Sequence, residues 1–371
     1  MISLSSTSLV PEPPYQHGTT EKVGVLLVNL GTPEAPTSAA LKKYLREFLS
    51  DPRVVEIPRL LWWPILNLVI LNVRPKRSAE KYASIWTKNG SPLKVNSENQ
   101  RIKVSESLSE NGLNVVVSLA MRYGDPSIKD QISMLKKEGV SKLLILPLYP
   151  QFSASTTATV FDKVFEQLIK MRNPPAIRLV KSFHDSKFYI SSVAESIRRY
   201  WQHNKKSNFL LFSFHGVPVR SLMEGDPYHC QCQKSARLIA EELQLNNSNW
   251  AISFQSRFGA AEWLKPYTTE TIKMLAEKGI TTLDIVCPGF TSDCLETLEE
   301  IAMEAKEDFI NAGGKNFGYI PCLNDGDLGI RMLKNIIVSE LGVWGTESSN
   351  VEQEACAKKQ RERALQLGAK I

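Results

Sequence analysis

Two stretches of this chain that begin 140 positions apart read almost alike: "ISMLKKEGVSKL" (132–143) and "IKMLAEKGITTL" (272–283). Each is a helix-period run, a glycine stop and the start of an apolar run, so each spells the passage from a helix into a strand. Three further pairs occur in the same chain order. "LVNLGTP" (27–33) matches "FSFHGVP" (212–218), "RYG" (122–124) matches "RFG" (257–259), and "PQFSAS" (150–155) matches "PGFTSD" (288–293). Collinear matches of this kind require two copies of one supersecondary unit, and that restricts the fold more than composition does.

The β-branched and leucine-rich runs fall into two sets of four. The first is 23–31, 114–120, 142–150 and 177–182; the second is 209–216, 250–256, 283–290 and 317–324. Helical periods lie between them, which predicts an α/β protein of two similar Rossmann-like domains, each a four-stranded parallel sheet flanked by helices. The expected layout is a disordered tail over 1–20, one domain over 21–185, a second over 186–340, and a C-terminal helix or tail over 341–371. At 371 residues and 43% hydrophobic the chain can fill two such cores. Ligands of open parallel sheets sit at the carboxyl ends of the strands, so the cleft between the halves is the expected site.

Composition excludes several classes. A net charge of +6 without a run of five like charges gives no nucleic-acid arm. Six cysteines in so long a chain read as reduced thiols, with no disulfides expected. "MISLSSTSLVPEPPYQHGTT" (1–20) lacks the basic and apolar regions of a secretion signal, so a cytoplasmic location is expected. "LLWWPILNLVIL" (60–71) is too short to span a bilayer, which takes about 20 apolar residues. Dinucleotide and P-loop glycine motifs are absent from the sequence.

Four features can carry chemistry. His215 ends the apolar run "LLFSFH"; read alone it is more often a satisfied core imidazole, but Gly216 beside it lets a flat ligand approach the backbone. In "CPGFTSDCLETLEEIAMEAKE" (287–307), Thr291, Ser292 or Asp293 can cap a helix on which Glu296, Glu300 and Glu304 recur at i, i+4 and i+8. Such a row is ordinarily a solvated face. Starting at the cleft with no cation inside it, it also suits a divalent metal or a proton path. Arg122 and Tyr123 stand at another strand end, where the guanidinium either pairs with a structural carboxylate or reads a substrate carboxylate. "LLWWPILNLVIL", followed by basic "RPKR" (74–77), is either a core helix or an apolar lip that touches membrane and admits a flat ligand.

Taken together, "VNLGTP" (28–33), "SPLKVNS" (91–97), "MRYGDP" (121–126), "PLYPQFSAST" (147–156), "SFHGVP" (213–218), "FQSRFG" (254–259) and "PGFTSDCLETLEE" (288–300) resemble the ferrochelatase family, over about residues 20–340. The likeness is greatest to the protoporphyrin-using enzymes of Gram-negative bacteria. The resemblance implies chelatase-type halves and insertion of Fe²⁺, a substrate, into protoporphyrin IX as the last step of haem synthesis. It makes His215 the catalytic histidine and Glu296 its acidic partner, both able to touch the metal. Glu300, Glu304 and Asp293 then fall on a proton or metal path. Porphyrin contact is implied for Leu30, Trp62, Trp63, Ser91, Pro92, Arg122, Tyr123 and Ser153.

No organic cofactor is implied. Cys294 stands where many members have histidine, and the tail holds only Cys356, so no 2Fe–2S cluster is expected, nor one assembled from Cys230, Cys232, Cys294 and Cys322. Expected partners, besides the two substrates, are the inner face of the plasma membrane through the apolar lip and an upstream protoporphyrinogen-oxidising enzyme. The alternatives are a chelatase for coproporphyrin III or sirohydrochlorin, and a non-enzymatic porphyrin carrier.

Overall fold

Both sets of apolar runs pair as the repeat requires in a computed structural model that describes residues 9, 12, 14–259, 261–345 and 350–370. In the first half β1 (Lys22–Gly31), β2 (Val115–Tyr123), β3 (Val140–Pro147) and β4 (Ala176–Leu179) lie in the order β2-β1-β3-β4. In the second, β5 (Phe209–His215), β6 (Trp250–Gln255), β7 (Thr282–Val286) and β8 (Asn316–Ile320) lie in the order β6-β5-β7-β8. Every pairing within the two sheets is parallel, and the two orders are the same. Central strands of such sheets are covered on both faces, which is why β1 is buried from Val23 to Asn29 rather than alternating.

Helices α1 (Ser38–Leu49), α2 (Arg59–Pro64), α3 (Leu71–Ile85) and α4 (Pro92–Glu110) fill the long β1–β2 crossover, and α5 (Ile128–Lys137) and α6 (Thr159–Leu168) complete the first half. The second half carries α7 (Lys187–His203), α8 (Val219–Met223), α9 (Tyr228–Glu242), α10 (Thr268–Glu277), α11 (Leu295–Thr297), α12 (Lys306–Asn311) and α13 (Asp327–Leu341), with α14 (Asn350–Gln366) beyond it. Much of the segment expected to be a disordered tail (1–8, 10, 11 and 13) lies outside the described residues. Residues 14–20 form a loop without helix or strand, and Gly18 packs on the backbone of Ala357 in α14.

One apolar core crosses between the halves. It joins Leu27 and Leu146 of the first sheet with Val104 and Leu108 of α4, Ile197 of α7, Phe212 of β5 and Ile337 of α13. The two copies of the repeated turn meet directly: Thr291 of "PGFTSD" donates through Oγ1 to the carbonyl of Leu148 at 3.0 Å, just before "PQFSAS". Tyr189 adds a hydrogen bond to the Pro288 carbonyl (2.7 Å) and Gln151 one to Ser235 (2.9 Å). The strand ends of both sheets are thereby fixed against each other. Gly31, at the end of β1, has φ +105°, and a Cβ there would stand 1.8 Å from the Tyr123 carbonyl oxygen, so only glycine lets β2 run past it. No helix of the described residues is long and apolar enough to cross a membrane.

Candidate active site

His215 is the last residue of β5, half-buried, opposite Gln255 of β6. Its Nδ1 lies 2.6 Å from the Gly216 carbonyl. A carbonyl only accepts, so Nδ1 holds the proton and the lone pair of the neutral ring is left on Nε2. The backbone is fixed as well: Tyr228 donates its hydroxyl to the His215 carbonyl at 2.9 Å, and the Gly216 N–H donates to the Gln255 carbonyl at 2.8 Å. A Cβ on Gly216 would meet that carbonyl at 2.9 Å and the Trp263 ring at 3.1 Å, so the close approach expected of this glycine is made by the protein's own chain. The Trp263 ring sits 6.5 Å from the imidazole, centroid to centroid.

The acidic row follows from the neighbouring strands. Gln255 donates from Nε2 to the Glu296 carbonyl (2.7 Å), which ties the start of the glutamate helix to the strand beside His215. Ser256, the next residue, adopts φ +64° and holds the Glu300 carboxylate with both its N–H (2.6 Å) and its hydroxyl (2.5 Å). Burial pushes the Glu300 carboxyl above the usual range. The Ser256 bonds and the facing His215 pull it back, and Glu296 pushes it up further. His215, Glu296 and Glu300 therefore share one electrostatic neighbourhood. The helix is α-helical over α11 and again over α12, and between them Leu298–Ala305 is a π-helix, a widened form frequent at functional sites. Along it the row passes from half-buried Glu296 and Glu300 to Glu304, whose side chain is 54% exposed.

Two expectations about this segment are corrected. The row does have a cation: Lys81 of α3 reaches Glu304 and Glu299, each at 2.8 Å, so the outer end is balanced from the other half. The helix is capped by a reciprocal pair, the Cys294 side chain accepting from the Thr297 N–H and the Thr297 hydroxyl accepting from the Cys294 N–H at 3.0 Å, and not by the side chain of Thr291, Ser292 or Asp293. Asp293 stands directly before Cys294, the N-cap of that helix. Its buried carboxylate accepts from the hydroxyls of Tyr319 and Thr297 (3.0 Å for Thr297) and from the Asn324 amide (2.6 Å), which leaves it a structural anchor. Cys294 is buried, and burial with nearby Glu296 pushes its thiol up.

On the first half, the strand end equivalent to His215 carries Leu30, half-buried, with its N–H on Asn29 Oδ1 at 2.9 Å. Ser91 and Pro92 begin α4, and Ser91 accepts from Thr32 at 2.8 Å. Ser153 caps the π-turn Ala154–Ala158 and donates to Asp226 at 3.0 Å. Arg122 and Tyr123 are buried. Arg122 Nη2 pairs with Asp51, and its Nε donates to Thr159 (3.0 Å to the carbonyl), so its fork is committed to the protein. Of the two sequence readings of this arginine, the geometry is that of a structural ion pair. Tyr44 and Tyr82 carried no sequence signal; both are buried, and both hydroxyls are pushed up by burial with Glu296 contributing.

The "LLWWPILNLVIL" segment is neither purely core nor purely lip. It is one continuous helix through α2, a π-turn (Ile65–Ile70) and α3, with Trp62 5% exposed and Trp63 65% exposed. Trp62 donates its indole N–H to the Leu49 carbonyl at 2.7 Å and packs with Tyr44, Leu66 and Tyr123. Leu60, Leu61, Trp63, Leu68, Val69 and Val73 face outward. Asn67 and Asn72 donate to the carbonyls of Trp63 (2.9 Å) and Leu68 (3.0 Å), satisfying backbone groups at the π-turn. Arg74 lies 4.3 Å above the Phe258 ring, joining this helix to the turn after β6. Among the described residues no three His, Cys, Asp or Glu side chains are gathered to hold a metal ion, and the six cysteines are free thiols.

The ferrochelatase family model matches residues 22–341. A ferrochelatase of Aromatoleum aromaticum is 56% identical over 90% of this chain and 92% of its own length. A ferrochelatase of a Polaromonas species is 52% identical over 98% of this chain and 99% of its own length. Among solved structures, SirB from Bacillus subtilis superposes with a TM-score of 0.51 over 88% of this chain and 98% of its own, at 14% identity, a likeness of fold alone. With that family model spanning both halves and their strand-end turns, the chain belongs to the ferrochelatase family.

Proposed function

We propose that this chain inserts Fe²⁺ into protoporphyrin IX beside His215, with Glu296, Glu300 and Glu304 serving the ion and the two released protons. A free-base porphyrin is planar, and two of its four inward nitrogens carry protons, so metal entry needs a bent ring and a base. The ring would lie with its face on the strand ends of both halves, and apolar contact energy would hold it bent. His215 Nε2, left unprotonated by the Nδ1 contact with Gly216, takes a pyrrole proton. The proton passes to Glu296 and Glu300 and leaves at exposed Glu304, where Lys81 is the counter-charge.

The observation that carries this reading is Glu300: a carboxyl with raised proton affinity, fixed by Ser256, facing His215 and leading toward solvent. The outward leucines and Trp63 with Arg74, Lys76 and Arg77 suit peripheral contact with an anionic bilayer, on the inner face of the plasma membrane. That placement would also bring in the apolar substrate from an enzyme that oxidises protoporphyrinogen.

The test is an anaerobic mixture of purified protein, free-base protoporphyrin and Fe²⁺ or Zn²⁺, followed in the visible spectrum, with coproporphyrin III in parallel. Many turnovers with protoporphyrin support the reading; stoichiometric binding without turnover would make the chain a carrier. His215→Ala should bind porphyrin and fail to metallate it, and near wild-type turnover would sink the assignment.

A further inference from the structure

We propose that Asn324 is a positioning residue of the insertion reaction, setting the place of Glu296 by docking the first half onto the loop that starts the glutamate helix. Asn324 lies after β8 with φ +49°, a left-handed conformation that asparagine tolerates better than most residues. Each of its polar groups is used. Its Nδ2 donates to Asp293 Oδ2 (2.6 Å), while its Oδ1 accepts from the Asp293 N–H (2.8 Å) and from Asn96 of α4 (2.9 Å). Its N–H donates to the Thr291 carbonyl at 3.0 Å, and its carbonyl accepts from buried Gln100 at 2.8 Å. The next residue, Asp325, holds Lys103 (2.7 Å) and Asn99 (3.1 Å) of α4.

The chain of contacts runs from one strand end to the other. Asn29 of β1 donates to Ser97 of α4 at 3.0 Å; α4 grips Asn324; Asn324 grips Asp293; and Asp293 receives the Thr297 hydroxyl at 3.0 Å. Thr297 follows Glu296 directly and also binds the Cys294 N–H. Besides the Gln255 bond to its carbonyl, Glu296 is thus held in place through a doubly bonded Asp–Asn pair that one half holds for the other. Asn324 touches no reacting atom in this scheme, and it acts through Glu296.

The Asp–Asn pair suggests a swap experiment. Asp293→Asn and Asn324→Asp each break it, the second by setting two carboxylates against each other. The double swap restores one amide facing one carboxylate, while residue 293 still offers an oxygen to Tyr319 and Thr297. Each single variant should lower kcat by at least about tenfold, because small misplacement of a reacting group is costly. The Kd for protoporphyrin, read by fluorescence, should stay within about threefold, and the double swap should regain most of kcat. Wild-type kcat in either single variant, or a double swap no better than the worse single, overturns the proposal.

Should Asn324→Asp not fold, Asn96→Ala with Gln100→Leu removes both α4 contacts to Asn324 itself and should lower kcat several-fold at unchanged porphyrin Kd; an unchanged kcat there is equally fatal. This inference rests on the reading of Glu296 above, and Glu296→Gln separates the two. If that variant turns over normally the reading of Glu296 falls, whereas an inactive Glu296→Gln beside a normal Asn324→Asp defeats only the role of Asn324.

Discussion

Arg122 was open to two readings, and a single perturbation decides between them. Its guanidinium and the Asp51 carboxylate have side chains only 4% and 5% exposed. Asp51 also receives Tyr123 OH (3.0 Å), Thr159 Oγ1 (2.5 Å) and the Arg53 N–H (2.8 Å), so four donors converge on one carboxylate. Burial alone would push its pKa up, but the Thr159 and Arg53 hydrogen bonds and the Arg122 charge hold it below the ordinary value. Asp51→Asn removes the charge and turns an amide N–H₂ toward donors, leaving a buried cation without its counter-ion. Breaking one side of such a pair costs about 3–5 kcal/mol, or roughly 10²- to 10⁴-fold in the unfolding equilibrium. Arg122→Met should cost a similar amount by stranding the carboxylate. The double variant Asp51→Leu with Arg122→Met should recover most of the loss, since a buried pair exchanged for apolar groups of like volume is often neutral. Urea unfolding followed by tryptophan fluorescence measures all three, and the porphyrin KM is read alongside. If Arg122→Met raised the porphyrin KM tenfold with an unmoved urea midpoint, the arginine would be a substrate contact and the structural reading would be refuted.

Glu296→Gln should lower kcat by about 10²-fold or more and Glu300→Gln by less, as expected when the base's immediate partner matters most; equal losses in steady-state turnover would contradict an ordered row. Because Glu300 binds its proton more tightly in the folded state than in the unfolded chain, its contribution to stability is full below the ordinary carboxylate pKa and is lost as pH rises through its raised value. Glu300→Gln should therefore flatten the fall of Tm with rising pH, and a curve that stays parallel to wild type would count against the buried, protonated state. Trp62→Ala should destabilise by about 3–5 kcal/mol in urea unfolding, since it empties a core site and frees the Leu49 carbonyl. Trp63→Ala should change stability by no more than about 0.5 kcal/mol and weaken binding to anionic vesicles instead; unaltered vesicle binding would argue against the lip as the membrane contact.

Much of the molecule was legible before folding because its signals are local. Strand runs, glycine stops and the repeated turns are set by side-chain period and by backbone freedom at a few glycines, and these lie within a dozen residues of one another. The two four-stranded parallel sheets and their equal strand orders follow from that duplication. His215 stood out as the end of an apolar strand and Glu296 and Glu300 by their helical spacing after a repeated turn, while their roles came from the family resemblance.

What the sequence could not disclose are partners far apart in the chain that meet only in the folded molecule. Lys81 is 218 residues from Glu299, Asn96 is 228 from Asn324, and Asp51 is 72 from Tyr123. No periodicity links positions so far apart, and their types (lysine, asparagine, aspartate) are those of ordinary surface residues. The split of Trp62 from Trp63 is of the same kind, since adjacent residues on a helix point about 100° apart and only the neighbouring element decides which is covered. Local patterning was enough for a duplicated α/β chain with a histidine and a glutamate row at its strand ends. Tertiary packing alone decided which carboxylates stay charged, which cations neutralise them and which are buried as anchors, because those depend on desolvation and on contacts across the two halves.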